Sequence, residues 1–410
     1  MTTSSAHRAL PLTIGILIAT CSAGLADTKA ETWLDNLEFS GSIAGEARWF
    51  VEDPQFEGQL SGVQPSIAIE PEVDWASEEG AYQARFVPFL RLDGRDSERT
   101  HGDVREAYLR YIANDWEALV GVNRVFWGVT ESRHLVNIIN QIDGVENIDE
   151  EDFLGEPMIN LALQRDYGLF SVFVLPGFRE RTFAGEDGRL RTPLPVDWDA
   201  AEYESGAEQW STDVALRYSH FFDEWDVGAS YFHGTSREAR LVLSDDATQF
   251  EPRYDQIHQF GLDLQYTKDA WLWKFEGIAR EGQGTFGAFV GGFEYTFYQI
   301  NETDADLGVL SEYLYDGRDN DKAPPTAFDN DLFLGARLTL NDINDTAALV
   351  GTVVDLETQT ASFRLEAERR IGDSRKIELE SQWFTNVDND DVLAAARDDS
   401  YLLLRFSQFF

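Results

Sequence analysis

The sequence predicts an all-β chain whose strands close into a transmembrane antiparallel barrel of about 18 strands, with 16 as the alternative count. Three observations carry this expectation. Apolar and polar residues alternate with a period of two through most of the chain, so each strand has one oily and one hydrated face. Connections alternate between short polar turns and longer acidic or irregular segments. No run of about 18 consecutive apolar residues follows residue 26, and strands can face hydrocarbon only in a closed barrel, since lipid offers no partner to an open sheet edge.

Composition narrows the function classes. The 410 residues hold 33 Lys+Arg against 74 Asp+Glu, a net charge of -41, which disfavours nucleic acid or any other polyanionic partner. Disorder is not implied, because 43% of residues are hydrophobic and 13% aromatic. A single cysteine excludes a disulfide framework and cysteine-based metal or redox sites. Residues 1–26 read as a secretory signal peptide, with Arg8, an apolar run over 9–19 and the small-residue exit Ala23-Gly24-Leu25-Ala26. A lipoprotein signal ending at Cys21 competes with this, but Thr20 precedes the cysteine where a small Gly, Ala or Ser is expected. Residues 27–35 then form a periplasmic extension, and 36–410 the barrel.

The strands follow in order. Over residues 37–49 one face carries Leu37, Phe39, Ile43, Ala47 and Trp49, and the other Glu38, Ser40, Glu46 and Arg48. Tyr82, Ala84, Phe86, Leu90 and Leu92 likewise oppose Gln83, Arg85, Arg91 and Asp93. The pattern recurs over 259–266 and 332–340. Pro71, Pro88 and Pro176 fall in or beside such runs, weakening those strands locally and disfavouring long helices. Short turns are expected at 76–80, 114–115, 165–167, 222–224, 267–269, 301–304, 341–345 and 372–374. Longer segments lie near 51–65, 94–102, 127–156, 177–208, 234–252, 317–330 and 386–399, with brief ones at 281–285 and 356–359. Short turns on the periplasmic rim and long loops on the external rim follow from that alternation. A secreted β-sandwich or propeller would alternate too, but about 18 one-sided apolar strands would need an equal covering sheet, and no constant blade repeat occurs.

The chain ends Tyr401-Leu402-Leu403-Leu404-Arg405-Phe406-Ser407-Gln408-Phe409-Phe410, with Leu402, Leu404, Phe406 and Phe410 on one face. Here it resembles the Gram-negative outer-membrane porins, whose closing strand is alternately apolar and ends in an aromatic residue; Gln408 departs from that pattern. The resemblance implies an outer-membrane location, surrounding lipid and lipopolysaccharide, a homotrimer, and passive diffusion of small hydrophilic solutes. It also implies a third external loop folded into the lumen.

Strand phase places Arg48, Arg85, Arg91, Glu106, Arg110, Arg217, Lys274, Glu276, Arg280, Arg337, Arg364, Glu366, Glu368 and Arg370 on the inner wall. The plain alternative is cross-strand Arg–Glu pairing that merely stiffens the wall. The third long connection carries Asn137, Asn140, Asp143, Glu146, Asn147, Asp149, Glu150, Glu151 and Asp152, with no Lys or Arg after Arg133, and looks like the constriction loop. It could instead be an acidic surface loop binding divalent cations among lipopolysaccharide head groups. Carboxylates facing wall arginines across a narrow passage favour polar organic solutes, carboxylated or zwitterionic. Trp127 is expected in the interfacial aromatic girdle with Trp210, Trp225, Trp271, Trp273, Tyr313 and Tyr315, or else in packing, and Gly128 at the departure into the loop.

Enzyme and cofactor signatures are not expected. The G-x-G-x-x-G at residues 282–287 joins two strands and opens no helix, so it reads as a hairpin. His101, His134, His220, His233 and His258 sit on separate elements, which suggests no metal site. His220 and Ser219 are adjacent and so point to opposite faces. The stretch 316–321 has oxygen ligands and a glycine but lacks the spacing of a calcium loop. The rival class is a plugged structural or adhesive barrel whose loops bind surface components.

Overall fold

The computed structural model describes residues 36–410, so the signal-peptide and extension readings of residues 1–35 lie outside the described residues. The chain is almost entirely β. The first strands around the wall are β1 (Leu37–Phe50), β2 (Val63–Ala76), β3 (Tyr82–Asp93), β4 (Gly102–Ile112), β5 (Trp116–Asn123), β6 (Glu156–Arg165) and β7 (Gly168–Leu175). After the two-residue loop strand β8 (Glu202–Tyr203) come β9 (Asp213–Phe222) and β10 (Trp225–Thr235). The loop strands β11 (Arg240–Leu243) and β12 (Phe250–Tyr254) join β8 in a separate three-stranded sheet among the external loops. The wall resumes with β13 (Gln256–Lys268), β14 (Trp271–Glu281), β15 (Thr285–Phe297), β16 (Asp306–Asp316), β17 (Asn330–Thr339), β18 (Ala347–Asp355), β19 (Ala361–Arg370), β20 (Arg375–Thr385) and β21 (Tyr401–Phe409).

Eighteen of these strands form one antiparallel sheet, each beside its neighbour in the chain. Closure comes from β1 against β21, in register from Ser42 opposite Phe409 to Phe50 opposite Tyr401. The sheet therefore has no free edge, which excludes the stacked open sheets of a sandwich. Turns and loops alternate as the sequence implied, and the G-x-G-x-x-G segment is the β14–β15 hairpin, with Gly282 at φ 119° and Gly284 at φ 77°.

One irregularity matters for the lumen. Between β3 and β4 the register shifts, Val87 pairing with Glu106 but Pro88 with Val104, so Arg105 is an extra residue on β4. Pro88 has no N–H for the ladder, and a bulge beside it removes the demand for one. The bulge turns Arg105 inward alongside Glu106, where Arg105 is buried.

The two faces of the wall differ sharply. Outward residues such as Phe39, Leu109 and Phe260 are more than 60% exposed, which in water would be an aggregation surface and in lipid is the matching one. Aromatic contacts gather near the short-turn rim, among them Tyr82–Tyr111 at 4.9 Å, Trp225–Tyr266 at 4.7 Å and Trp271–Trp273 at 5.4 Å. These rings suit the membrane interface. The inward face is not uniformly polar. Met158, Phe173, Leu175, Phe232 and Ile257 point inward and pack with Trp127, Val136, Ile138 and Ile139 of the third loop, a dry core inside the barrel. The inward face, which the alternation marks as the polar one, is thus apolar over one side of the lumen.

Lipid contact has a measurable consequence. Leu262 lies mid-strand on the outward face, opposite Ala229 and Gly277. Leu262→Arg is expected to cost about 2–4 kcal/mol of folding free energy in lipid vesicles. A cost below roughly 0.5 kcal/mol would mean this face meets water.

Candidate functional site: the third loop and the passage beside it

Residues 124–155 leave the external end of β5, cross the lumen and return to β6. Gly128 makes the first sharp bend at φ 150°, and a Cβ there would sit 2.9 Å from His134 Nδ1 and 3.1 Å from Glu276 Oε1. The loop's start is held by two wall carboxylates. Val129 N–H (2.7 Å), Thr130 N–H (3.0 Å) and the Thr130 hydroxyl (2.7 Å) donate to Glu276 Oε1, and Val136 N–H (3.2 Å) donates to Oε2. Glu312 accepts from Glu131 N–H and Ser132 N–H, each at 2.8 Å. Asn140 closes the neck: its amide donates to the carbonyls of Asn123 and Leu154 at 2.9 Å, and its Oδ1 accepts from Val125 N–H. Arg237 donates to Ile139 O and pairs with Asp213 at 2.7 Å.

The far side of the loop meets a charge cluster on β1–β4. Arg91 grips Glu146 through two hydrogen bonds, at 2.7 and 2.5 Å. Arg99 bridges Glu46 (2.7 Å) and Asp93 (3.0 Å), and Arg105 reaches Asp143 at 2.7 Å. Arg48 donates to the carbonyl of Glu146. His101 Nε2 lies 3.1 Å from Asp143 and 3.6 Å from Glu146. Burial opposes charge on His101, yet the Asp143 hydrogen bond and the carboxylates of Asp143 and Glu146 outweigh it and raise its pKa. Burial opposes ionisation of Asp143 too, but the His101 hydrogen bond and Arg105 hold its carboxyl well below the usual range. These three side chains could in principle ligate a cation, but Arg91 and Arg105 already occupy the carboxylates.

Past Glu146 the loop turns to the β17–β21 wall. Asn147 donates to Glu380 (2.9 Å) and accepts from Tyr401, Asp149 pairs with Arg364 at 2.7 Å, and Glu150 pairs with Arg181 at 3.0 Å. Glu131 pairs with Arg337 at 2.6 Å and lies 3.4 Å from Lys274. Between this stretch and the wall is a cavity of about 1200 Å³. Pro324, Asn389 and Val392 of the external loops line it, as do Ala347, Glu368 and Glu378 near the opposite rim.

The expected wall residues separate into groups. Arg48 and Arg91 hold the loop from one side and Glu276 from the other. Arg280, Arg337, Arg364, Glu366 and Glu368 line the cavity. Arg85 pairs with Glu72, Asp74 and Glu106, Arg217 with Asp263, and Arg110 lies over the Tyr108 ring; these stiffen the wall. Arg370 is at the short-turn rim with Asp345. In the loop, Asn137 accepts from Trp127 N–H, while Glu151 faces the cavity and Asp152 contributes its carbonyl to Asp143 N–H. Trp127 is not in the girdle. It is 5% exposed, inside the lumen between Phe173 and the Arg217 guanidinium. At 316–321 two of the three acidic groups are matched, Asp316 with Arg318 and Asp319 with Lys322. The expected wall does not include Arg105, Asp213, Glu312 or Arg405, nor the loop residues Arg99 and Arg237, and Glu46 stands on the hydrated face without an assigned role. Glu46 and Arg405 share the phase of Arg48 and face each other across the closing pair, a signal the alternation already contained.

No family model matches the chain, and no curated protein does. Solved structures resemble it in fold. Escherichia coli Wzi, an outer-membrane protein of group 1 capsule assembly described as a carbohydrate-binding β-barrel, aligns with TM-score 0.54 and 10% identity over 93% of this chain and 86% of Wzi. Pseudomonas putida OprB, in its high-pH structure, gives 0.48 and 9% over 93% of this chain and 96% of that one. A mutant Rh. blastica porin gives 0.44 and 10% over 91% of this chain and all of that one. At 10% identity the likeness to Wzi concerns architecture alone: the chain is a closed 18-stranded antiparallel β-barrel.

Two expectations follow for the loop. Glu276→Ala strands buried donors of residues 129, 130 and 136, so it should lower stability by roughly 3 kcal/mol or more, measured by denaturant unfolding; a neutral result would mean the loop is held elsewhere. The raised pKa of His101 makes its ionic contribution fully present below the ordinary imidazole value of about 6.5 and lost as pH climbs through the higher folded value. Wild type should therefore lose thermal stability on that alkaline side, and His101→Gln should not. A wild-type midpoint with no more pH dependence than the variant would contradict this.

Proposed function

We propose that the protein is a selective, porin-like channel of the outer membrane that passes small polar organic solutes, carboxylated or zwitterionic, down their gradient. The observation that supports it is the cavity beside the third loop, lined from the external loops to the short-turn rim and carrying both signs of charge. Arg337 and Arg364 stand on the wall against Glu131 and Asp149 of the loop. Glu366 and Glu380 face each other across β19 and β20, as do Glu368 and Glu378. A solute entering this passage sheds water, and only one with its own hydrogen-bonding groups recovers the loss. Fixed charges within a Debye length of about 8 Å govern that exchange, so the distant acidity of the external loops matters less. Flux needs no covalent step. A homotrimer in a leaflet bearing lipopolysaccharide belongs to the same reading.

A second reading has its own support. The dry core fills one side of the lumen and the loop is held at both ends, as in a plugged barrel whose external loops bind surface components; Wzi is described as carbohydrate-binding. Single-channel recording separates the two. The channel reading expects discrete ion-permeable steps from folded wild type, and Asp149→Asn with Glu131→Gln should shift the reversal potential toward anions. Silence from correctly folded protein, with flux appearing only when residues 145–156 are deleted, would favour the plug.

A further inference from the structure

The external part of the cavity adds aromatic surface to charged groups such as Arg181, Glu238, Arg318 and Asp391. Phe183, Phe250, Phe328, Phe384 and Leu393, drawn from four external loops and the end of β20, line it and are only partly buried, so they present apolar surface that no protein group covers. Ligand sites have this character: mostly apolar walls with few, well-placed polar groups.

One such group stands out. Of the nine arginines lining the cavity, eight have an acidic partner among the described residues: Arg133, Arg181, Arg237, Arg280, Arg318, Arg337, Arg364 and Arg405. Arg191 has none. Its Nε donates to Glu186 O at 3.2 Å and its Nη1 to the carbonyls of Thr192 (2.8 Å) and Pro193 (3.0 Å), while Nη2 has no hydrogen-bond partner among the described residues. The guanidinium lies 4.9 Å from the centre of the Phe56 ring and the residue is 8% exposed. Nearby Arg189 is by contrast matched to Asp399 at 2.5 Å. A buried cation with no carboxylate in contact is costly unless something supplies one. Burial depresses the Arg191 pKa, outweighing the opposing pull of the Glu186 and Asp399 carboxylates.

Resting on the channel reading and naming its solute more closely, we infer that Arg191 and the apolar vestibule form a recognition site for a small organic carboxylate with an apolar body. The carboxylate takes the unspent guanidinium edge and the ring or alkyl body covers the phenylalanines. A charge-assisted contact to a desolvated arginine discriminates strongly against cations, and the apolar wall discriminates against small hydrated acids.

Calorimetry on the folded, detergent-solubilised full chain tests this with benzoate, acetate and benzylamine as probes. Benzoate is expected to bind at least about ten-fold more tightly than either of the others, a difference of roughly 1.4 kcal/mol. Arg191→Gln should erase the preference for benzoate over benzylamine, Arg191→Lys should restore part of it, and Phe250→Ala should weaken benzoate while leaving acetate unchanged. Equal binding of the three probes to wild type overturns the inference, as does an Arg191→Gln variant that still prefers benzoate. Folding is checked by heat-dependent migration, and if the arginine variants fail to fold, the wild-type comparison of probes decides alone. Conductance measured separately keeps the two claims apart: steps without benzoate preference sink the site only, and benzoate preference without steps sinks the channel only.

Discussion

Everything in this molecule depends on the backbone pairing of β1 with β21. Without it the wall would expose two rows of unpaired N–H and C=O groups to hydrocarbon, where each costs several kcal/mol. Closure also fixes what the side chains can do. Once the sheet seals, alternate residues are committed to lipid or lumen, and a one-residue slip would exchange the two sets everywhere. The outward leucines and phenylalanines and the inward arginines are thus one constraint seen from two sides.

The lumen faces the opposite problem, because a barrel of this girth leaves more interior than wall side chains can fill. The third loop supplies the missing volume, and a loop buried in this way must satisfy its own backbone. Glu276, Glu312, Asn140 and Arg237 do so at its start, each accepting from or donating to main-chain groups. The buried ions around Glu146 and Asp143 are a different matter. Paired buried charges add little net stability, but removing one partner leaves the other stranded, so they penalise any alternative placement of the loop. Position is what they fix. Loops 176–212 and 236–255 reinforce it from outside: Thr182 donates to Asp143, Arg237 donates to Ile139 O, and Glu238, half-buried and flanked by Arg280 and Arg318, is held well below the usual carboxylate range.

Much of this was legible from alternation, and the parts that were not have identifiable causes. Arg48, Arg337 and Arg364 follow from strand phase because their strands pair without a register shift, and Arg91 because the extra residue sits on β4 and leaves the count along β3 intact. Arg105 was hidden by the bulge opposite Pro88, which breaks the count of two. The dry core was concealed by the assumption that a barrel interior is polar, although β7 carries apolar residues on both faces, Phe173 and Leu175 inward with Phe170 and Val172 outward, the signature of a strand buried on both sides. The girdle reading of Trp127 gives way to its packing alternative for the same reason. Pairings between loop and wall, such as Glu131 with Arg337, span 206 positions and have no local signal at all.

The dry core and the charged passage are consequences of the same asymmetry. Apolar inward residues run from β5 through β7 and β10 to β13–β17, and Leu135, Val136, Ile138 and Ile139 of the loop are apolar too, so that stretch of the loop goes to that side. Its acidic residues, 143–152, then have to turn away, and the basic and polar walls of β1–β4 and β17–β21 receive them. Space remains only where side chains on the receiving wall are small or too short to cross, as along Ala347, Leu349, Gly351 and Val353 of β18, and that is where the cavity lies. The route for a solute is therefore set less by the loop's charge than by which wall its apolar half prefers.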